Sequence, residues 1–113
     1  MPYVHLRTDK PLGEETIRAL CQAIIEDLGQ HLSKPPERCM VQIDAAQHLA
    51  MGDGQSACAF AEVRVRGPID TAASDAFGAA FKRDVAACLS VEAARVYLHV
   101  MEMKNGEIKG AIY

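Results

Sequence analysis

The sequence predicts an α+β fold: two copies of one β-α-β unit forming a four-stranded mixed sheet with two helices on one face. Three observations carry this expectation. Shifted by 57 positions, residues 3–43 lie over residues 60–100 without a gap. Each copy opens with the period-two alternation of a half-buried strand, and each continues into an apolar stripe at helical spacing. Under the shift Arg7 falls on Arg64, Pro11 on Pro68, Ala19 on Ala76 and Ala23 on Ala80. Asp27 then meets Asp84, Leu32 meets Leu89, Ser33 meets Ser90 and Arg38 meets Arg95. Chance supplies a few identities at one offset, but not a set in step with the secondary structure.

The elements follow in order. Pro2–Thr8 sets Tyr3, His5 and Arg7 against Val4, Leu6 and Thr8, which reads as a strand. Pro11, Leu12 and Gly13 interrupt it, and Glu14–Glu15 suit the positive end of a helix. Ile17, Leu20, Cys21, Ile24, Leu28 and Leu32 form that helix's apolar stripe. Ser33–Lys34–Pro35–Pro36 ends it, since proline cannot continue a helix. Arg38–Asp44 reads as the second strand.

The second copy repeats the pattern. Cys58–Arg66 is a strand closed by Gly67–Pro68, and Ala73, Ala76, Phe77, Ala80, Phe81, Val85 and Cys88 line the next helix. Arg95–Met103 is the fourth strand. Asn105–Gly106 is a two-residue hairpin signal that predicts a short return strand through Ile108–Ile112. Each strand-helix-strand unit calls for parallel strands and a right-handed crossover. Tyr3, His5, Arg7, Gln42, Glu62, Arg64, Arg66, Tyr97 and His99 then share the face away from the helices, either solvated or buried against another subunit.

Length and composition set the outer bounds. The chain has 113 residues, the size of one domain, with repeats at about 2–44 and 58–103. A net charge of −3 offers no electrostatic footprint for nucleic acid. Apolar runs of four or five residues are too short to span a bilayer, and the N-terminus lacks the pattern of a secretory signal. Cys21, Cys39, Cys58 and Cys88 are scattered without a C-x-x-C pair, which fits reduced thiols in a cytoplasm. His5, His31 and His48 lack ligand spacing, so no metal site is expected. Gly52–Asp53–Gly54 lacks the Lys-Ser/Thr of a phosphate loop.

Met1-Pro2 opening a strand, Lys34-Pro35-Pro36 closing the first helix and Arg95-Val96-Tyr97 in the fourth strand together resemble the tautomerase superfamily. The match is to its macrophage migration inhibitory factor and phenylpyruvate tautomerase branch, and it thins out after Met103. The resemblance implies a homotrimer whose sheets wrap into a central barrel, with sites at subunit interfaces and no cofactor. It also implies removal of Met1, which leaves Pro2 as a free secondary amine and the catalytic base. A free α-amine has a pKa of about 8, and burial and nearby cations lower it. Such an amine lifts a proton from the carbon beside a carbonyl and returns it elsewhere. With Met1 retained, the same nitrogen is an amide and no base.

Lys34 matches the family's lysine at the end of the first helix, which meets a substrate carboxylate or carbonyl oxygen; a lysine there also suits the helix dipole alone. Tyr97 matches a tyrosine contributed across the interface, or is an ordinary strand tyrosine. Two positions depart from the branch. Arg66 stands where it has isoleucine, and His99 where it has asparagine. Arg66 suits a carboxylate-bearing substrate, or instead an ion pair with Glu62 or a neighbour; His99 tunes the pocket or sits hydrogen-bonded in the sheet. The expected function is therefore keto–enol tautomerisation of a small α-keto acid such as phenylpyruvate. Dehalogenation or hydration on the same frame is the alternative enzyme, and a non-catalytic ferredoxin-like binding module the alternative without chemistry.

Overall fold

The 57-residue offset carries through to the ends of the elements. The structure, a computed structural model, describes residues 2–52 and 56–104. It contains β1 (Pro2–Thr8), α1 (Glu14–Leu32), β2 (Met40–Asp44), β3 (Ala59–Arg66), α2 (Thr71–Leu89) and β4 (Val96–Met103). The two helices have 19 residues each and begin and end at matched positions. Both stop at a serine in the left-handed region, Ser33 and Ser90, each with φ of 55°. Single 3-10 turns at Pro36–Arg38 and Ala93–Arg95 follow. These turns shorten the predicted strands: β2 begins at Met40 rather than Arg38, and β4 at Val96 rather than Arg95. The predicted return strand at 108–112 and its Asn105–Gly106 turn lie outside the described residues.

The sheet runs β2-β1-β3-β4. β1 and β2 are parallel, as are β3 and β4, and β1 and β3 pair antiparallel. Each helix therefore connects strands that are immediate neighbours. A ferredoxin-like module is built on split β-α-β units, so this order excludes the ferredoxin-like fold of that alternative. In the β1–β3 ladder His5 faces Glu62, its own counterpart under the repeat, so a pseudo-two-fold axis passes through that pair.

Alternation decides the two faces. Val4, Leu6, Ala61, Val63, Val65 and Val96 are buried under the helices, against Leu20, Ile24 and Leu28 of α1 and Phe77, Phe81, Val85 and Leu89 of α2. Thr8 is the buried polar residue of β1, and its hydroxyl donates to the Cys58 carbonyl at 2.7 Å. The opposite face is polar, as expected, and pairs some of its charges internally. His5 meets Asp44 at 2.6 Å, and Arg7 donates to Glu62 at 2.7 Å. Those contacts hold the Asp44 and Glu62 carboxyls below their ordinary range. Glu62 is thus the partner of Arg7, one strand over. No described helix is long and apolar enough to cross a membrane.

Phe77 and Phe81 sit one helical turn apart with ring centroids 5.6 Å apart, both fully buried. Phe81→Ala is expected to cost about 3–5 kcal/mol in denaturant unfolding. Arg18→Ala, on the exposed side of α1, is expected to change stability by less than about 0.5 kcal/mol.

Candidate active site

Pro2 is buried at the first position of β1, where a strand tolerates the missing N–H. It pairs with Val65 of β3, whose side chain also turns to the helix-covered face. On its other flank the register Tyr3 to Met40 places Cys39 one step before β2. The Cys39 thiol donates to the Pro35 carbonyl at 3.4 Å, and burial pushes its pKa up, so it stands beside Pro2 as a neutral group.

Lys34 reaches this corner because α1 ends abruptly. The Lys34 N–H turns back to the Leu28 carbonyl at 3.2 Å, while Pro35 forces the chain into extended backbone. The Lys34 Nζ then donates to the carbonyl oxygen of Arg66 at 2.8 Å. Arg66 follows Val65, the register partner of Pro2. One hydrogen bond thus ties the end of α1 to the strand position beside the proline.

Gly67 continues from Arg66 with its N–H on the Met103 carbonyl at 2.9 Å. A Cβ built at Gly67 would stand 2.2 Å from Oε1 of Glu102, so a carboxyl lies across this glycine. Glu102 is the register partner of Val65 on β4. Cys39 and Glu102 were not among the sequence-predicted site residues. Their signal lay in strand pairing, which motif spacing does not carry.

The structure brings Pro2, Lys34 and the backbone of Arg66 together, and it separates Tyr97 and His99 from them. The Arg66 side chain belongs to the open face of the sheet and is exposed. Tyr97 pairs with Phe60, five residues along β3 from Val65, which is about 16 Å at the strand rise. It is 58% exposed and lines an apolar cavity of about 180 Å³ with Met51, Cys58, Ala59 and Phe60. His99 pairs with Glu62, three residues from Val65, on the open face. A wider cleft of about 430 Å³, lined by Arg7, Gln47 and His48, also lies at the far end of the sheet from Pro2.

An antiparallel fusion of two β-α-β units with a proline at the head of the first strand defines the tautomerase class of fold. Residues 1–111 match the macrophage migration inhibitory factor family, and the chain belongs to it. Solved structures agree on the fold. Leishmania major MIF2 superposes with a TM-score of 0.86 at 15% identity, covering 100% of this chain and 97% of that one. Pt0534 inactivated by 2-oxo-3-pentynoate gives 0.82 at 16% identity, covering 97% and 94%. A fused 4-OT wild-type asymmetric trimer gives 0.82 at 14% identity, covering 96% and 94%. A search of curated proteins found no match.

The contact between Gly67 and Glu102 yields a coupling test. Gly67→Ala sets a Cβ against Oε1, Cδ and Cγ of the exposed Glu102, so that whole side chain must swing aside, and a loss of about 1–3 kcal/mol is expected. Combined with Glu102→Ala that loss is expected to shrink, because the obstructing carboxyl is gone; a double-mutant cycle in urea measures it.

Proposed function

We propose that the chain is a cofactor-free tautomerase acting on a small α-keto acid such as phenylpyruvate, with Pro2 as general base once Met1 has been removed. The observation that carries this reading is the Lys34–Arg66 hydrogen bond, which holds a cation beside the strand position paired with Pro2. The Pro2 nitrogen takes a proton from the carbon beside the ketone, or from the enol oxygen in the reverse direction, and returns it to the other atom. No atom is gained or lost. Lys34 keeps two N–H donors beyond the one on Arg66, and these stabilise the oxygen as it becomes an enolate. Arg66 receives the substrate carboxylate as a fork of parallel donors.

Tyr97 and His99 enter such a site only from another copy of the chain. A homotrimer supplies them, with Tyr97 as wall or hydroxyl donor and His99 tuning the pocket; the trimeric relative of this fold supports that assembly. Since the fold has a relative inactivated by 2-oxo-3-pentynoate, an acetylenic keto acid is an apt probe. Arg66 also favours a second reading, in which the same proline assists addition of water across the multiple bond of an unsaturated acid, with halide expelled where that acid carries a halogen.

With phenylpyruvate as substrate, Met1-free protein is expected to lose about 10²–10⁴-fold in rate on Pro2→Gly. Lys34→Met is expected to lose about 10²–10³-fold. Intact mass confirms the Met1-free state of each sample. Equal rates for wild type and Pro2→Gly would overturn the role of the proline. Halide release from a halogenated acid, without enol–keto conversion, would favour the second reading.

A further inference from the structure

Asp27 and Asp84, matched by the internal repeat, take no part in the chemistry above. They lie where α1 and α2 pack together. Asp27 is only 5% exposed, and its Oδ2 has no hydrogen-bond partner among the described residues. The Asp84 carboxyl stands against it from α2 within hydrogen-bonding reach. Two ionised carboxylates present acceptors and no donor, and they repel. A single proton converts the same contact into a short, charge-assisted O–H···O bond.

The surroundings decide which residue carries that proton. Arg83 of α2 grips Asp84 with both Nε, at 3.1 Å, and Nη2, at 3.5 Å, so Asp84 is the ionised member. Glu26 of α1 adds negative charge near Asp27, and Arg83 offsets part of it. His31 of α1 acts on Asp84. The Cys88 thiol, one turn beyond Asp84, is pushed up by burial and then by both carboxylates. From the sheet side the core presents apolar groups apart from Thr8.

We infer that Asp27 and Asp84 share one proton and form a pH-sensitive clasp between the two helices, closed at acidic to neutral pH and released when Asp27 ionises. Burial is the largest cause raising Asp27, followed by the bond to Asp84 and its charge, and together they bring it to about 7. The sign follows from linkage. Asp27 titrates higher in the folded chain than in the unfolded one, about 3.9, so its contribution is full below that value and lost as pH rises to about 7. Asp84, Asp44 and Glu62 are lowered instead, and their contributions are lost only as pH falls below the ordinary carboxylate range. Histidines also titrate between pH 5 and 8, so a variant lacking the shared proton must serve as reference.

The decisive measurement is an NMR titration of the aspartate side-chain carboxyl carbons in the full chain. An Asp27 midpoint close to 7 is expected, and Asp84→Asn is expected to lower it by removing the facing charge. An Asp27 midpoint below 5, or one that Asp84→Asn leaves in place, would overturn the clasp. In a companion experiment, wild type and Asp27→Asn are melted at pH 5.5 and 8.5. The wild-type Tm is expected to fall with rising pH relative to Asp27→Asn, whose amide donates to Asp84 at both values. Parallel Tm profiles would overturn it as well. Should Asp27→Asn fail to fold, the titrations of wild type and Asp84→Asn still decide.

Discussion

The antiparallel ladder between β1 and β3 is the constraint on which the rest of the molecule depends. A single β-α-β unit of about 45 residues buries too small a share of its surface to be more than marginally stable alone. Pairing Val4 with Val63 and Leu6 with Ala61 fuses the two half-cores into one. Because the axis of this ladder passes through His5 and Glu62, every element acquires a counterpart across it. The two helices come to lie side by side, Asp27 is brought to Asp84, and the end of α1 is brought to the end of β3.

The duplication is symmetric in backbone and asymmetric in chemistry. At one end of the sheet stand Pro2, Lys34 and Cys39. Their counterparts at the other end are Ala59, Val91 and Val96, which hold no ionisable group. Asp9, the counterpart of Arg66, accepts the Cys58 N–H at 3.0 Å, and the adjacent Lys10 caps α2 through the Leu89 carbonyl. Arg95 gives its guanidinium to the carbonyls of Met51, Ser56 and Ala57 and so binds the linker between the copies. That end is committed to structure.

Much of this was legible in the sequence because apolar periodicity and the repeat report the same geometry. The helices, the polar open face and Lys34 at a proline-bounded helix end all follow from local pattern. What escaped depends on distance across the fold. Asp27 lies between Ile24 and Leu28 in sequence, and an aspartate there reads as a solvated flank until a second helix covers it. Cys39 and Glu102 join the proline's corner through strand register, which one sequence does not display. Tyr97 carries the family pattern and His99 departs from it, yet β4 holds Tyr97 at the far end and His99 at mid-sheet, both on the opposite face from Pro2. Under the proposed function their place in the site is set by an assembly, which intrachain periodicity does not encode.

Lys34, like Lys10 and Arg95, is held by a peptide carbonyl, unlike the basic groups that meet carboxylates. Arg7 is matched by Glu62, Arg83 by Asp84, and His5 by Asp44, each a cationic or basic group against a carboxylate. Among the described residues Lys34 forms no such ion pair; its ammonium is held by a neutral peptide oxygen instead. A carbonyl fixes the direction of the side chain without cancelling its charge, and the carbonyl end of α1 adds a favourable dipole. Replacing that carbonyl by a carboxylate would hold the lysine more tightly and leave less field for an incoming anion. The arrangement therefore joins two properties that an ion pair sets against each other: a cation fixed in place and a charge still available beside Pro2.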